Sequence, residues 1–382
     1  MSVRAPGEQL PLPVDFPASP GETRDSDAES FAVSLLALSN IQGIGRKTLE
    51  QLVDALDGQL FRLWRDEPEE LLSLLRNIAV PNRDRVVTAI AERGDELWEQ
   101  GVRQVRTLHE KGAHVIPPWS LPERLRTLPD PPRWLFVQGS TDALYFRPVV
   151  AVVGTRNASA QGKRAAEVVV KLLAAYPIAL VSGLAQGIDE EAHRSSLQQG
   201  VKNVAFLGHG INLTFPAQTA SLRELIIRKG GAVATEFLPN ERYRREHFVL
   251  RNRLQAALAD IVIPAEANSS GGTAHTIRFA RKYNREIIAL RFNGENQVTA
   301  ELERDGYPVV NIFEQSGWRQ LDQRFRALAE REGHDTFALS LVKQRLLNEL
   351  RSRNVQRQDF ERFIAMLRDL AEGTNWEPPS KE

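Results

Sequence analysis

The sequence predicts an α/β protein whose parallel sheet is covered by helices on both faces. Between residues 149 and 313, short apolar segments of strand length alternate with amphipathic helical segments. The apolar segments are nearly continuous, which is typical of strands buried on both faces. The predicted strands are Val149–Val153, Ile178–Val181, Asn203–Leu207, Ala232–Thr235, Ile261–Pro264, Glu286–Leu290 and Pro308–Ile312. The predicted helices between them include Gly162–Ala175, Ile188–Gln199, Ala217–Lys229 and Thr273–Tyr283.

Two further regions precede this alternation. Residues 1–30 are rich in Pro, Gly, Ser, Asp and Glu and lack apolar periodicity, which predicts a disordered tail. Residues 31–112 carry leucines at helical spacing and predict an all-helical domain. Two glycines, Gly43 and Gly45, interrupt the helical pattern near its start.

The remaining boundaries follow from changes in composition. Residues 113–315 are predicted to form the α/β core, and a proline-rich stretch with one short strand, Trp134–Val137, leads into it. Residues 316–382 are highly charged with a helical pattern, which predicts C-terminal helices.

Composition excludes several classes of protein. The formal net charge is +0, so any polyanion must bind at a local basic patch and not through a global field. The absence of cysteine excludes disulfides, thiolate metal sites and a cysteine nucleophile. The first residues lack the apolar segment of a secretory signal, and the longest apolar runs are far shorter than the roughly 20 residues that span a bilayer. We therefore expect a cytoplasmic protein that does not enter a membrane.

Four loops after predicted strands carry Gly, Ser or Thr close to a helix start. In an open parallel sheet, ligands bind beyond the carboxyl ends of the strands, so these loops predict a phosphate-accepting surface. Tight turns that require glycine would give the same pattern in any one loop. The candidate residues in these loops are Gly154, Thr155, Arg156, Ser159, Ser182, Gly183, Gly187, Gly208, Gly210, Ser270, Gly271, Gly272 and Thr273.

A basic cluster between residues 242 and 253 follows the fourth core strand. Arg251 and Arg253 belong to it, and Tyr243 and Phe248 are interleaved with the cations. Arginine beside aromatic side chains suits a single strand, because phosphates need cations and bases need flat surfaces on which to stack. The alternative is a solvated helical face with nearby glutamates as partners. Lys202, just before the third core strand, is a further candidate.

The common catalytic and cofactor patterns are missing. No loop ends in the Gly-Lys-Ser/Thr of a P-loop, and no G-x-G-x-x-G follows the first core strand. Ser182, Asp189 and His193 lie close in sequence, but Ser182 lacks a G-x-S-x-G elbow and nothing fixes a triad geometry. The histidines lack zinc-ligand spacing. The sequence therefore predicts a binding protein without metal or cofactor, and not an enzyme.

Several separate motifs resemble the DNA-processing protein A (DprA/Smf) family. They occur in that family's order over roughly residues 115–292, and the segment LLALSNIQGIGRKTL also resembles its N-terminal helical domain. The motifs are VVAVVGTRNAS, VSGLAQGIDEEAH, VAFLGHGINLTFP, ATEF, HFVLRNRLQAALADIVIPAEA and SSGGTAHT.

The resemblance implies a fold, a ligand and partners. It implies an extended Rossmann-like core with an N-terminal helix-hairpin-helix or SAM-like domain. It also implies single-stranded DNA binding, loading of a RecA-type recombinase in DNA uptake or recombination, and a homodimer. It places Arg156, Lys202, Ser182, Gly183 and Gly187 at the family's binding positions, together with Arg251 and Arg253 on its Arg-Asn-Arg motif.

The chain departs from the family pattern at two places, and two other functions stay open. His275 stands where the family has a small or apolar residue, and residues 331–382 do not match the winged helix of many members. One alternative is a nucleotide-processing enzyme, for which Glu236 and Glu266 are the candidate carboxylates. The other is a DNA- or nucleotide-sensing regulator, such as an antitoxin with a cognate toxin or a phage-defence component.

Overall fold

The chain folds into two compact units. The computed structural model describes residues 23–77, 80–267, 271–292 and 297–332. The first unit contains the chain up to Gln138 with two later segments, Gly210–Asn212 and Thr235–Glu241. The second unit contains the other described residues from Gly139 to residue 332.

The first unit is mostly helical, as the leucine spacing predicts. One element extends beyond its predicted region: α1 already begins at Thr23, inside the segment predicted as a disordered tail. Residues 113–138, predicted as the start of the core, form a short antiparallel pair of strands in this unit. The elements are α1 (Thr23–Ser39), α2 (Arg46–Ala55), α3 (Arg62–Arg65), α4 (Pro68–Asn77), α5 (Arg83–Glu110), β1 (Ala113–Ile116), α6 (Glu123–Arg126) and β2 (Leu135–Gly139).

Helices α1 and α5 pack closely at a glycine. A Cβ at Gly101 would meet the backbone of Val33 and the Cβ of Ala37, so only glycine allows this approach. Leu35 and Leu36 on α1 and Leu97 on α5 are buried in the resulting core. The interruption predicted by Gly43 is the loop between α1 and α2, where Gly43 has φ of +84°.

The second unit alternates strands and helices as predicted. Its elements begin after a short 3₁₀ turn and run through the described part of the chain to residue 331. They are β3 (Val149–Gly154), α7 (Ala160–Leu173), β4 (Ala179–Ser182), α8 (Ile188–Gln198), β5 (Asn203–Phe206), α9 (Ala220–Arg228), β6 (Ala232–Thr235), α10 (Arg245–Leu258), β7 (Ile261–Glu266), α11 (Gly272–Lys282), β8 (Glu286–Ile287), β9 (Ala289–Arg291), α12 (Gln297–Arg304), β10 (Val309–Asn311) and α13 (Gln315–Arg331).

The strands of this unit form a parallel sheet with a topological switch point. Their order is β6-β5-β4-β3-β7-β8, and each neighbouring pair is parallel. Since β3 lies between β4 and β7, the chain first builds the sheet in one direction and then in the other. Ligand crevices form at such a reversal, beyond the carboxyl ends of the strands. The switch point therefore lies at the ends of β3 and β7.

One predicted strand is divided in the structure. The segment Glu286–Leu290 forms β8 and β9, because the Ile288 amide still donates to Val262 while the Ala289 amide turns to Pro308. Strand β9 pairs with β10 in a separate two-stranded parallel sheet. Of the predicted C-terminal helical region, the structure describes α13, and residues 333–382 lie outside the described residues.

Candidate nucleic-acid interface

The loop after β3 begins at the switch point and is fixed by the chain itself. A Cβ at Gly154 would lie 2.6 Å from the Cβ of Ile188 and 2.8 Å from the carbonyl oxygen of Glu266. The amide of Thr155 donates to that same carbonyl at 2.7 Å. Gly154 thus serves the packing of β3 against its neighbours, and the loop leaves Arg156 exposed to solvent.

Ser159 caps α7. The negatively charged group at this end of the helix is a carboxylate of the protein itself. The Ser159 hydroxyl accepts a hydrogen bond from the amide of Gly162 at 3.0 Å. The amide and the hydroxyl of Ser159 both donate to Glu266 Oε2, at 2.9 and 3.1 Å. Helix N-termini favour negative charge, and this carboxylate occupies that place. The Ser159 hydroxyl thus already has partners within the protein, and its role as a phosphate ligand stays a prediction.

Ser182 and Gly183, in the loop after β4, have internal roles. The Ser182 side chain is completely buried and donates to the carbonyl of Val152 at 2.7 Å. A Cβ at Gly183 would clash with the guanidinium of Arg251 and lie 2.4 Å or less from it. Ser182 is thus unavailable to a ligand, contrary to the prediction, and Gly183 leaves space for an arginine.

Gly187 ends this loop in a conformation that favours glycine. Its φ is +85°, and a Cβ would meet the carbonyl of Arg156 at 2.6 Å. The amide of the next residue, Ile188, donates to the Thr155 carbonyl at 3.2 Å. Gly187 therefore allows the loops after β3 and β4 to approach each other closely.

Arg251 forms the floor of the site. It is 4% exposed on α10 and donates from Nη1 to the Phe206 carbonyl at 2.7 Å. Burial lowers the pKa of Arg251 to about 10, while the nearby carboxylate of Asp189 opposes this effect. The guanidinium therefore stays charged at neutral pH, and it keeps the attraction for an anion in the space above it.

Aromatic side chains form one wall of the site. The rings of Phe215 and Tyr243 are stacked, with centroids 3.8 Å apart and an interplanar angle of 21°. Phe248 lies beside both, and the guanidinium of Arg156 lies 4.8 Å from the centre of its ring. A Cβ at Gly208 would be 2.6 Å from the Phe248 ring, so Gly208 allows that ring to pack against the loop. Cation–π contact of this kind holds an exposed arginine in place.

These groups surround an open cavity of about 500 Å³ at the carboxyl edge of the sheet. Its cationic residues are Arg156, Arg245 and Arg251, and the one carboxylate among its lining residues is Asp189. Gly154, Thr155, Gly271, Gly272 and Thr273 contribute lining on its other side, and His275 completes it. A smaller cavity of about 60 Å³ adjoins it, lined by Gly183, Gly208 and Phe215 among others. Cations and flat rings around one opening suit a nucleic-acid strand with accessible bases.

The sequence profile of one family, DNA recombination-mediator protein A, matches residues 115–307, which is half of the chain. This match contains the cavity. The chain belongs to this family.

Individual relatives agree with this assignment. DNA processing protein DprA of Streptococcus pneumoniae is 38% identical over 173 residues, which cover 45% of this chain and 59% of that protein. Protein Smf of Escherichia coli is 35% identical over 185 residues, covering 48% of this chain and 49% of that protein. The chain thus spans only about half of the length of these two relatives. The predicted resemblance to the DprA/Smf family is confirmed.

Two solved structures of the DprA family share the fold. DNA processing protein A from Streptococcus pneumoniae has a TM-score of 0.56 at 26% identity, with 74% of this chain and 94% of that chain covered. The same protein from Helicobacter pylori has a TM-score of 0.51 at 25% identity, with 57% and 96% covered. The latter structure gave insight into that protein's single-stranded DNA binding mode. The α/β, Rossmann-like fold class with N-terminal helices is confirmed.

Lys202, Arg253 and Gly210, which are also predicted for the interface of this DprA-family chain, do not line its cavity. Lys202 immediately precedes β5, so it lies at the amino edge of the sheet, with Nζ 4.5 Å from the centre of the Phe146 ring. Arg253 is buried in α10 and lines neither cavity. Gly210 belongs to the first unit, where its position is limited by the backbone of residues 238–239. Ser270 lies outside the described residues.

Three contributors were not predicted as part of the interface. Phe215 follows the loop that contains Gly208 and Gly210, and an aromatic residue after a Gly-rich loop is itself a signal. Arg245 was one cation in a run of several, and the sequence alone does not tell which of them faces the cavity. Asp189 lines the cavity together with Arg251, and burial raises the pKa of its carboxyl while the charge of Arg251 opposes this effect.

The geometry also excludes a serine triad at Ser182, Asp189 and His193. The Leu184 amide donates to His193 Nε2 at 3.2 Å, so Nδ1 carries the proton and donates to Asn203 at 2.6 Å. Both ring nitrogens are therefore used within the fold. Burial lowers the pKa of His193 to about 4, which keeps the ring neutral.

The two carboxylates considered for nucleotide processing are also engaged. Glu266 accepts from Ser159, as described above, and Glu236 lies 3.5 Å from the guanidinium of Arg46 within the first unit. Among the described residues, no group of three or more His, Cys, Asp and Glu side chains is arranged to hold a metal ion. No helix in the described ranges is both long and apolar enough to cross a bilayer.

Proposed function

We propose that this chain binds single-stranded DNA in the cavity at the carboxyl ends of β3 and β7, and that it acts by binding and not by catalysis. The observation that carries this proposal is the union of three arginines with the Phe215–Tyr243 stack and Phe248 around one opening. Arginines neutralise phosphates, and each base can stack on an exposed ring. Tyr243, which is 49% exposed, offers such a surface.

A single strand fits this arrangement better than a duplex. In a duplex, bases are stacked on one another and their faces are inaccessible, so a wall of aromatic rings would gain nothing from them. Membership of a recombination-mediator family and likeness to a Helicobacter pylori protein with a single-stranded DNA binding mode also support the proposal.

The direct test is the affinity for a fluorescent oligo-dT strand at several salt concentrations. Arg156→Ala should weaken binding and reduce the slope of log K against log salt by about 0.7, the value for one phosphate contact on a single strand. Phe248→Ala should cost about 1–3 kcal/mol, because a stacking surface is lost and Arg156 loses the ring that positions it.

Matched controls lie away from the cavity. Arg103 on α5 has a side chain that is 60% exposed, and Phe313 is 41% exposed. Arg103→Ala and Phe313→Ala should bind oligo-dT like the unchanged chain. Equal affinity and equal salt slope in Arg156→Ala, Phe248→Ala and these controls would disprove the assignment of the site.

Several partners remain predictions from the resemblance. We propose that the bound strand is handed to a RecA-type recombinase and that two copies of the chain associate; the recombination-mediator family match supports the first proposal, and the resemblance to the DprA/Smf family motivates both. Strand exchange by a RecA-type protein, with and without the chain, tests the first, and sedimentation equilibrium tests the second. The regulatory alternative with a cognate toxin stays a hypothesis that a pull-down would examine.

A further inference from the structure

His275 and Arg278 connect the cavity to a second one along helix α11. His275 lines the main cavity, and Arg278 Nη2 lies 2.7 Å from His275 Nδ1, one turn further along the helix. Arg278 in turn lines a separate cavity of about 480 Å³ between α11 and α12. Residues three apart on a helix face the same side, so this pair forms a continuous polar path from one cavity to the next.

The contact disfavours a protonated histidine. A guanidinium has only donors, and Arg278 Nη2 lies 2.7 Å from Nδ1 and 3.3 Å from Nε2 of His275, so a neutral ring offers the acceptor that this contact needs. Burial lowers the pKa of His275, and the positive charges of Arg278 on α11 and Arg245 on α10 lower it further. A neutral imidazole is thus held beside two cations.

The surrounding charges are mixed in sign but do not neutralise this pair. The main cavity is also lined by Arg156, Arg251 and the buried carboxyl group of Asp189, whose charge acts on Arg251. Across the second cavity lie Glu301 and Asp305 on or just after α12, and Asp305 pairs with Arg281 at 2.5 Å. The lowered pKa of His275 is caused by burial and by the charges of Arg278 and Arg245.

We propose that His275 and Arg278 form a proton-linked phosphate subsite, which continues the bound strand from the main cavity along α11. This inference rests on the proposed function, because the phosphate is that of the same single strand. A phosphate placed between the two side chains accepts from Arg278, which then releases Nδ1 of His275. The ring takes up one proton from solvent and donates it as a second hydrogen bond to the phosphate.

Proton uptake gives the binding a defined pH dependence. The anion raises the pKa of His275 above its value in the free protein, so the bound state holds more protons at neutral pH. Affinity for a single strand therefore strengthens as pH falls from about 8 to about 6, where imidazole titrates. Each unit by which the phosphate raises the pKa yields up to a tenfold change in affinity over this range.

The test compares oligo-dT affinity at about pH 6 and about pH 8 at constant ionic strength. The unchanged chain should bind several-fold more tightly at the lower pH. His275→Gln keeps a polar side chain that does not titrate and should remove this difference. Arg278→Gln should weaken binding at both pH values and reduce the difference, because the free ring then protonates more readily. His114→Gln, an exposed histidine of the first unit, is the matched control and should retain the full difference.

A second measurement does not depend on affinity. The NMR titration of the His275 ring, assigned by its loss in His275→Gln, should give a higher pKa with oligo-dT than without it. A pH difference that persists in His275→Gln, or an unchanged ring pKa on binding, overturns the subsite while leaving the main cavity as the binding site. Absence of oligo-dT binding at either pH overturns both the subsite and the proposed function.

Discussion

At the scale of single residues, the glycines of the site leave space for side chains of the protein itself. The sequence predicts that glycines after the strands let a ligand approach the backbone. In the structure, the space beside Gly183 is taken by Arg251, and the space beside Gly208 is taken by Phe248. These glycines act on the ligand indirectly, because they position the charge and the ring that would contact it.

Gly183→Ala should therefore disturb the cavity by displacing Arg251, which forms its floor. The added Cβ would clash with the buried guanidinium of Arg251, and overpacking of this kind costs about 1–3 kcal/mol of the free energy of unfolding. Affinity for oligo-dT should fall as well, because Arg251 forms the floor of the cavity. Chemical denaturation and oligo-dT titration measure the two effects.

The control for this substitution is Gly272→Ala at the start of α11. No atom lies within 4 Å of a Cβ there, so stability should stay equal or rise by about 0.4–1 kcal/mol as the unfolded chain loses freedom. If both variants unfold at the same denaturant concentration, the close approach of Arg251 to Gly183 is not a constraint on the fold.

At the scale of elements, charged groups decide how helices dock on the sheet. The N-terminus of α7 receives the carboxylate of Glu266, which lies at the end of β7. Helix α13 is held against the core by Leu321 and Phe325, and by a hydrogen bond of 2.9 Å from the Tyr176 hydroxyl to Asp322. The latter bond places a carboxyl in a partly buried position.

Asp322 should make the stability of the second unit depend on pH. Burial raises the pKa of its carboxyl to about 7, against the opposing charge of Arg326. Since the folded pKa lies above the unfolded value, the folded state binds the proton more tightly. Stability is therefore highest below about pH 4 as far as this group is concerned, and it is lost as pH rises through about 7.

Asp322→Asn removes this dependence and keeps the acceptor for Tyr176. The variant should be more stable than the unchanged chain at about pH 8, by about 2 kcal/mol after allowance for screening, and similar to it at about pH 4. Urea unfolding at the two pH values checks this expectation. A variant that is no more stable than the unchanged chain at the higher pH would show that α13 docks without strain from this carboxyl.

At the scale of the whole molecule, the formal net charge is +0, so a nucleic-acid strand must be attracted by a local group of cations. Three exposed arginines lie on the path proposed for the strand, namely Arg156 and Arg245 at the main cavity and Arg278 beyond it. Three phosphate contacts give an expected slope of log K against log salt of about −2. Binding should therefore weaken with salt, but less steeply than for a protein with a basic face.

Competition with heparin distinguishes binding at a local site from general electrostatic attraction of a polyanion. It is a polyanion without bases, so it should compete poorly with oligo-dT if stacking on Tyr243 and Phe248 contributes to affinity. Competition titrations with the two polymers at one salt concentration measure this. Equal competition per charge, or a salt slope near zero, would contradict a local site that combines cations with aromatic rings.

The order of strands and helices was predictable from the sequence, because the spacing of apolar residues is a property of short segments. The alternation from residue 149 onward and the family resemblance both lie in local patterns, and they placed the site at the carboxyl edge of the sheet. The same patterns did not divide Glu286–Leu290 into β8 and β9, since that division depends on hydrogen bonds to β7 and to Pro308.

The sequence by itself therefore determined the class of fold, the carboxyl edge of the sheet as the candidate site and the cationic and aromatic character of that site. Only the tertiary structure decided which candidates line the cavity. It buried Ser182, directed Ser159 to Glu266, left Lys202 at the other edge and brought Phe215 against Tyr243. The physical reason is that accessibility and pairing arise from contacts between segments far apart in the chain, whereas a motif records only which groups are near in sequence.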